Sequence, residues 1–307
     1  MVTGNPGRHV HIAIEIDGRG TDPLDPSIVR EVVQTAEAGG FTFVTIDDGP
    51  LPPDSGSRLD AVDRAAYVST LTERIGLAPT AHVTTTEPFH LAAQIASLDH
   101  LTHGRAAWVV GADNSSDALA TIGTSPLGQA GWLREVGDVV EVARQLWDSW
   151  QDDAVIKDVA SGRYLDPNRV HHVDFEGATF SVKGPLITPR PPQGQPVVIA
   201  PASLAAAAGP DIVLVEGEPD TDFGDALVFA NLPVTADLAE CVRRLAGHVD
   251  GIRLLPTDLV AELPWLVERV LPVLRAEGLH RPPEAGATLR ATLGLPRPAN
   301  RFVTTSR

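Results

Sequence analysis

Between Leu71 and Asp113 the chain sets two apolar runs on either side of a helical pattern, and this spacing restricts the fold more than any other feature of the sequence. Ile75 to Val83 is a short apolar run containing Gly76. Pro88 stands where the first turn of a helix tolerates a residue without an N–H, and Leu91, Ile95, Leu98 and Leu101 then recur at helical spacing until His103-Gly104. Ala106 to Val110 is too continuously apolar to alternate, as expected of a strand covered on both faces. Strand, crossover helix and buried strand make a right-handed parallel unit.

The same rhythm runs through the chain. Strands are expected at Val10–Ile16, Phe41–Ile46, Ile75–Val83, Ala106–Val110, Pro196–Ala200, Asp211–Val215, Ala226–Ala230 and Gly251–Leu255. Helices are expected at Pro26–Ala38, closed by Gly39-Gly40, from about Asp60 to Thr72, at Trp132–Trp150, at Thr235–Ala246 with an N-cap at Thr235, and at Leu259–Ala276. Asn114 to Gly131 reads as a long loop of small residues. Residues 151–195 break the alternation and read as an excursion carrying one hairpin, from the runs His172–Phe175 and Thr179–Lys183. Residues 280–307 form a tail expected to lie against the body. Eight strands with helices between them predict an α/β fold, a (β/α)8 TIM barrel in one domain over 1–307, with the hairpin excursion after the fourth barrel helix. An open doubly wound sheet is the alternative, but no G-x-G-x-x-G follows the first strand.

The 307 residues are 43% hydrophobic, enough for a sizeable core. A formal net charge of −16 argues against a nucleic-acid partner and an anionic membrane surface. No run of about 18 apolar residues occurs and the N-terminus has no apolar signal core, so the expectation is a soluble, cytoplasmic protein. Lone Cys241 excludes an internal disulfide and is expected to be a buried, inert thiol. Arginine far outnumbers lysine, which fits a high-GC bacterial genome.

In such a barrel the chemistry comes from the C-terminal ends of the strands. Those ends carry Glu15 and Asp17, Asp47 and Asp48, His82 and Thr84, Asp113 and Asn114, Ser203, Glu216, Asn231 and Arg253. Each also has a structural reading: a strand-end Asp forms turns and caps helices, and His82 can be a satisfied histidine at the rim. His9 and His11 alternate on one strand face, a weak metal pattern without a carboxylate–histidine set around it. H-E-x-x-H, P-loop, G-x-S-x-G and C-x-x-C motifs are all missing.

Seven sequence words go further: ERIGL (73–77), EPFHLA (87–92), ASLDHLTHGRAAW (96–108), LWDSWQDDAVIKDVASGRYLDP (146–167), FSVKGPL (180–186), VDGIRLLP (249–256) and LGLPRPANR (293–301). In this order they resemble the luciferase-like flavin-dependent monooxygenases, in the branch of nitrilotriacetate, dibenzothiophene-sulfone and long-chain-alkane monooxygenases. The resemblance independently implies the barrel. It also implies reduced FMN, supplied by a separate flavin reductase, that activates O2 to oxygenate a small organic substrate, in a protein expected to be a homo-oligomer. It places cofactor contacts at Asp48, Thr84 and Ser203, Asp113 is a further candidate beside the expected phosphate, and His82 and His11 are the candidate catalytic residues; no metal is expected. Relatives carry a long insertion after the sixth strand where this chain has only Glu218 to Gly224, so it reads as a shortened member.

The departures concern the phosphate. After the fourth strand the family has an asparagine and a hydroxyl pair, whereas this chain reads Trp108-Val-Val-Gly-Ala-Asp113. The family's Arg-Tyr pair is replaced near Trp132-Leu133-Arg134, and its glycine-bearing phosphate loop has become Ile199-Ala-Pro-Ala-Ser203. Pro201 has no N–H to donate, and Asp113 adds a negative charge. Two readings follow: a two-component monooxygenase, or a degenerate barrel with weak or no FMN binding that serves as a binding protein, an accessory subunit or a non-flavin enzyme. A deazaflavin in a remodelled pocket is a third.

Overall fold

A computed structural model of the protein describes residues 9–17, 24–53 and 57–303. Its strands are β1 (His11–Glu15), β2 (Phe43–Ile46), β3 (Gly76–His82), β4 (Ala107–Gly111), β5 (Val155–Asp158), β6 (Arg163–Leu165), β7 (Val173–Glu176), β8 (Ser181–Gly184), β9 (Val197–Pro201), β10 (Ile212–Glu216), β11 (Leu227–Pro233) and β12 (Gly251–Leu255). Eight of them pair in parallel and close a barrel in the order β1-β12-β11-β10-β9-β4-β3-β2. Each of the eight expected strands is there. All four residues of β2 are buried, as are Val197–Ala200 of β9 and Ile212–Val215 of β10, which is why these strands read as continuous apolar runs.

The long helices sit outside: α1 (Pro26–Gly39), α2 (Ala61–Ser69), α3 (Pro88–Leu101) and, after a short α4 (Ser116–Ala120), α5 (Gln129–Asp148). Their starts are set locally. Asp25, Asp60 and Glu87 accept backbone N–H bonds at the N-termini of α1, α2 and α3, with proline in the first turn of α1 and α3. Gly40 closes α1 at φ 80°, a conformation that glycine adopts without strain. Helix α5 buries Val136, Val139, Val140, Ala143, Leu146 and Trp147 against the sheet and α3. Trp147 meets Trp108 of β4 edge to face at 6.4 Å, and both indole N–H groups are used, on Ala92 O and Ala81 O.

After β9 come α6 (Ala202–Ala208), then α7 (Leu238–Leu245), α8 (Leu259–Trp265), α9 (Leu271–Ala276) and α10 (Leu289–Thr292). Inside the barrel, Ala13, Phe43, Ala78, Val109, Ile199, Leu214 and Phe229 form one apolar cluster, joined by Leu289 and Leu293 of the tail. The tail therefore closes the end of the barrel where the strands start. Leu289 N donates to Gly104 O at 2.8 Å, and a Cβ on Gly76 would stand 2.9 Å from the Leu289 side chain.

Five details differ from the expectations set by the sequence. The excursion carries two hairpins, β5–β6 as well as β7–β8. The loop 114–131 contains α4. The segment Leu259–Ala276 is broken by a π-helical turn at Leu266–Val270, where Pro264 and Pro272 interrupt the supply of helical N–H donors. Helix α7 starts at Leu238, and Thr235 bonds the Asp237 carboxylate at 2.7 Å instead of capping the helix. Cys241 is half-buried rather than buried. No helix among the described residues is long and apolar enough to cross a membrane.

Candidate active site at the barrel mouth

The C-terminal ends of the strands form a polar layer over the apolar barrel interior. Its centre is Arg253 of β12. The guanidinium donates from Nε to Thr45 Oγ1 at 2.9 Å and from Nη2 to Glu15 Oε2, while Thr45 Oγ1 donates to Glu15 Oε2 at 2.8 Å. Burial pushes the Glu15 carboxyl up to about 7, against the opposing pull of Arg253. The Arg253 Nη1 group makes no hydrogen bond among the described residues.

Above this layer lies a cavity of about 330 Å³ whose walls include His82, Val109, Ala112, Trp132, Pro201 and Arg253. A second cavity, of about 250 Å³, shares Asp48, Thr80 and His82 with it and continues to Thr86, His90 and Gln94. A third, of about 520 Å³, shares Pro201, Ser203 and Leu214 and is bordered by Glu216 and residues 218–223, where β10 connects to β11 without a helix.

His82 stands in the wall between the first two cavities. Its Nε2 lies 3.1 Å from the Asp48 carbonyl, which can only accept, so Nε2 carries a hydrogen, and in the neutral ring Nδ1 has the lone pair. That Nδ1 is buried without a hydrogen-bond partner, and so is the Trp132 Nε1 donor. The ring is packed against Gly111, where a Cβ would stand 2.6 Å from it.

The structure sorts the expected site residues. His82, Asp48 and Ser203 line the mouth. Asp48 is committed to the fold: its carboxylate accepts from Gly49 N at 2.8 Å and Ala61 N at 2.6 Å and pairs with Arg58 at 3.0 Å. The Thr84 hydroxyl donates to Asp113 O at 2.8 Å and accepts from Asp113 N at 3.2 Å, stapling one loop to the next. Asp113 accepts from Ser115 N at 2.7 Å, and bonds from Ser115 hold its carboxyl below the usual range, keeping it ionised. The Ser203 hydroxyl makes no hydrogen bond among the described residues, but exposed Ser203 follows Pro201, which has no N–H to offer.

His11 has to be corrected. It opens β1, so it lies at the opposite end of the barrel from His82, stacked on Phe229 at 6.2 Å with His9 edge-on at 5.4 Å. It borders a separate cavity of about 310 Å³ with Arg281 and Pro282. No cluster of three metal-ligating side chains occurs among the described residues. Arg253 and Glu15 stand at strand ends like the other candidates, but no sequence motif marks them as a pair.

These positions bear on the flavin that the family implies. The mouth has room and apolar wall for a ring system, along Val109, Leu214 and Trp132. Among the described residues there is no phosphate cradle: Ala112 has no hydroxyl, Thr84 is occupied, Pro201 cannot donate, and ionised Asp113 stands nearby. The described residues do not fit a flavin anchored by its phosphate.

Comparison with known proteins agrees with the fold and the sequence words. The luciferase-like monooxygenase family model matches residues 8–225. One chain of the pristinamycin IIA synthase of Streptomyces pristinaespiralis is 35% identical over 297 residues, which cover 95% of this chain and 96% of that relative. A second chain of the same synthase is 34% identical over 220 residues, 66% of this chain but only 46% of the relative, so this protein spans about half the length of that second chain. Nitrilotriacetate, dibenzothiophene-sulfone and long-chain alkane monooxygenases are among the other matched relatives. The crystal structure of a long-chain alkane monooxygenase superposes with a TM-score of 0.83 at 20% identity, over 94% of this chain and 96% of that one. By the family model, the relatives and the closed barrel together, the chain belongs to the luciferase-like monooxygenases, a family of flavin-dependent oxygenases acting on small organic substrates.

Proposed function

We propose that the chain is one component of a two-component monooxygenase, in which reduced FMN from a separate flavin reductase and O2 oxygenate a small organic molecule. The observation that carries this is the 35% identity to the pristinamycin IIA synthase chain of matching length, across almost the whole of both. The longer chain of that synthase is also a relative, so the partner that fits best is a second, longer member of the same family rather than only a copy of this one. Such an assembly would work in the cytoplasm, where a reductase can supply it.

The absence of a phosphate cradle among the described residues favours a definite division of labour. When bound, reduced flavin supplies the electrons that activate O2. This chain holds it through the ring alone, or leaves it to the partner. What the chain's own residues do at the mouth is bind and orient: His82 Nδ1 can accept a hydrogen, and Trp132 Nε1 and Arg253 Nη1 can each donate one.

The test is turnover under 18O2 with purified chain, flavin reductase, NADH and FMN, run over a panel of small organic substrates, with and without a longer family chain co-expressed from the same organism. Label should enter a product only when the reductase is present, and most strongly with both chains. Unlabelled product in every combination of folded proteins would sink the proposal.

A further inference from the structure

Besides the exposed Ser203 hydroxyl, the mouth cavity leaves three polar atoms unmatched among the described residues, and they are of two kinds. Arg253 Nη1 and Trp132 Nε1 are donors; His82 Nδ1 is an acceptor. All three residues line the same 330 Å³ space. His82 Nδ1 and Trp132 Nε1 are buried, and Arg253 Nη1 stands beside them; buried polar groups are normally hydrogen-bonded, and unmatched ones gathered around a single cavity mark what a ligand must bring. Arg253 is also not free to turn aside. Glu15 and Thr45 hold it by Nη2 and Nε, which fixes the plane of the guanidinium and the direction of the remaining Nη1.

We infer that the barrel mouth is a carboxylate subsite: Arg253 Nη1 and the Trp132 indole N–H receive the carboxylate of a small organic acid, and His82 Nδ1 accepts from a hydroxyl or N–H on the same molecule. The other charges around the cavity leave Arg253 as its cation. Asp48 is neutralised by Arg58 at 3.0 Å, the Asp47 carboxyl is raised by burial, Glu15, raised to about 7, offsets Arg253 only above that pH, and ionised Asp113 lies one residue beyond the wall residue Ala112. The apolar walls, Val109 and Leu214, would take the remaining carbon skeleton. This rests on the proposed function only in calling the ligand a substrate; binding itself requires neither flavin nor turnover.

Calorimetry on the full chain without flavin tests it, with four probes: mandelate, which has both the carboxylate and the hydroxyl, phenylacetate, mandelamide and inorganic phosphate. Mandelate should bind saturably, phenylacetate severalfold more weakly, and mandelamide at least tenfold more weakly, because a hydrogen bond to a charged group is lost. Arg253→Met should weaken mandelate at least tenfold, and Trp132→Phe severalfold while leaving mandelamide little changed. Should Arg253→Met fail to fold, Trp132→Phe and the probe comparison on the wild-type chain decide the matter alone. Equal binding of mandelate and mandelamide, or no binding of either acid, overturns the inference. So does tighter binding of phosphate than of both acids, which would make Arg253 a phosphate anchor. None of these outcomes depends on whether the 18O2 experiment succeeds.

Discussion

The imidazole of His82 occupies the space that a side chain on Gly111 would need: a Cβ there would lie 2.6 Å from the ring. Gly111 has ordinary strand backbone, so only the ring bars a larger residue. The histidine on β3 and the glycine on β4 thus share one volume across neighbouring strands. Gly111→Val alone should cost about 1–3 kcal/mol through overpacking. His82→Ser added to it should return at least about 1 kcal/mol. Urea unfolding of the two single variants and the double variant measures the coupling, and additive effects would mean that the contact is not what holds glycine at 111.

Asp148, in the LWDSW word, bonds Arg190 at 2.8 and 3.0 Å and Gln195 at 2.7 Å, with 1% of the residue exposed. That word carries structure rather than chemistry. Asp148→Ala leaves the Arg190 guanidinium buried with one fewer partner and should destabilise the fold by about 3–5 kcal/mol in denaturant unfolding.

The eight strands were legible because most are buried on both faces and leave nearly unbroken apolar runs, as in β2, β9 and β10, while α1, α2 and α3 carry their own caps. The β5–β6 hairpin was not, because it is mostly exposed: Val155, Ile156 and Lys157 pack against little and show no alternation. The break in the last helical stretch was missed, although proline at 264 and 272 carried its signal. His82 was found because a polar residue ending an apolar strand stands out. His11 was misplaced because alternation tells which face a residue is on and not which end of the barrel, although its place at the start of a strand carried that information. The Arg253 grouping has no local signal at all, since its partners Thr45 and Glu15 are 208 and 238 residues away in sequence.

Glu15 should make carboxylate binding depend on pH. It faces Arg253 and Thr45, with Asp17 nearby, itself paired with Arg64; Asp47, beside Asp17, is likewise raised by burial. Below about 7 the carboxyl takes up a proton and no longer neutralises Arg253, so mandelate should bind more tightly at pH 6 than at pH 8. Glu15→Gln should remove that dependence and keep the tighter binding throughout. Titrations at both pH values decide it; an unchanged slope in the variant would assign the titration to another group.

His280 is 2% exposed, and burial together with Arg275 pushes its pKa down to about 4. The unfolded chain takes up a proton there as pH falls below about 6.5 while the native chain does not, so this residue lowers stability progressively from about pH 6.5 to 4, by roughly 2–4 kcal/mol. Asp99, raised to about 6 by burial, acts in the opposite direction over the same window. The difference between wild type and His280→Leu isolates the histidine: chemical unfolding at pH 7, 5.5 and 4 should show the variant losing less stability on acidification, and parallel curves would contradict it.

Fluorescence titration of FMN and riboflavin against the wild-type chain and an Asp113→Ser, Pro201→Gly double variant measures directly whether this barrel lacks a phosphate cradle. The wild type should bind both flavins weakly and with affinities within a fewfold of each other. The double variant regains a donor and loses a repulsive charge, and should bind FMN at least tenfold more tightly with riboflavin unchanged. Wild-type binding that is much tighter for FMN than for riboflavin, and no better in the double variant, would show that the phosphate is gripped after all by residues other than these.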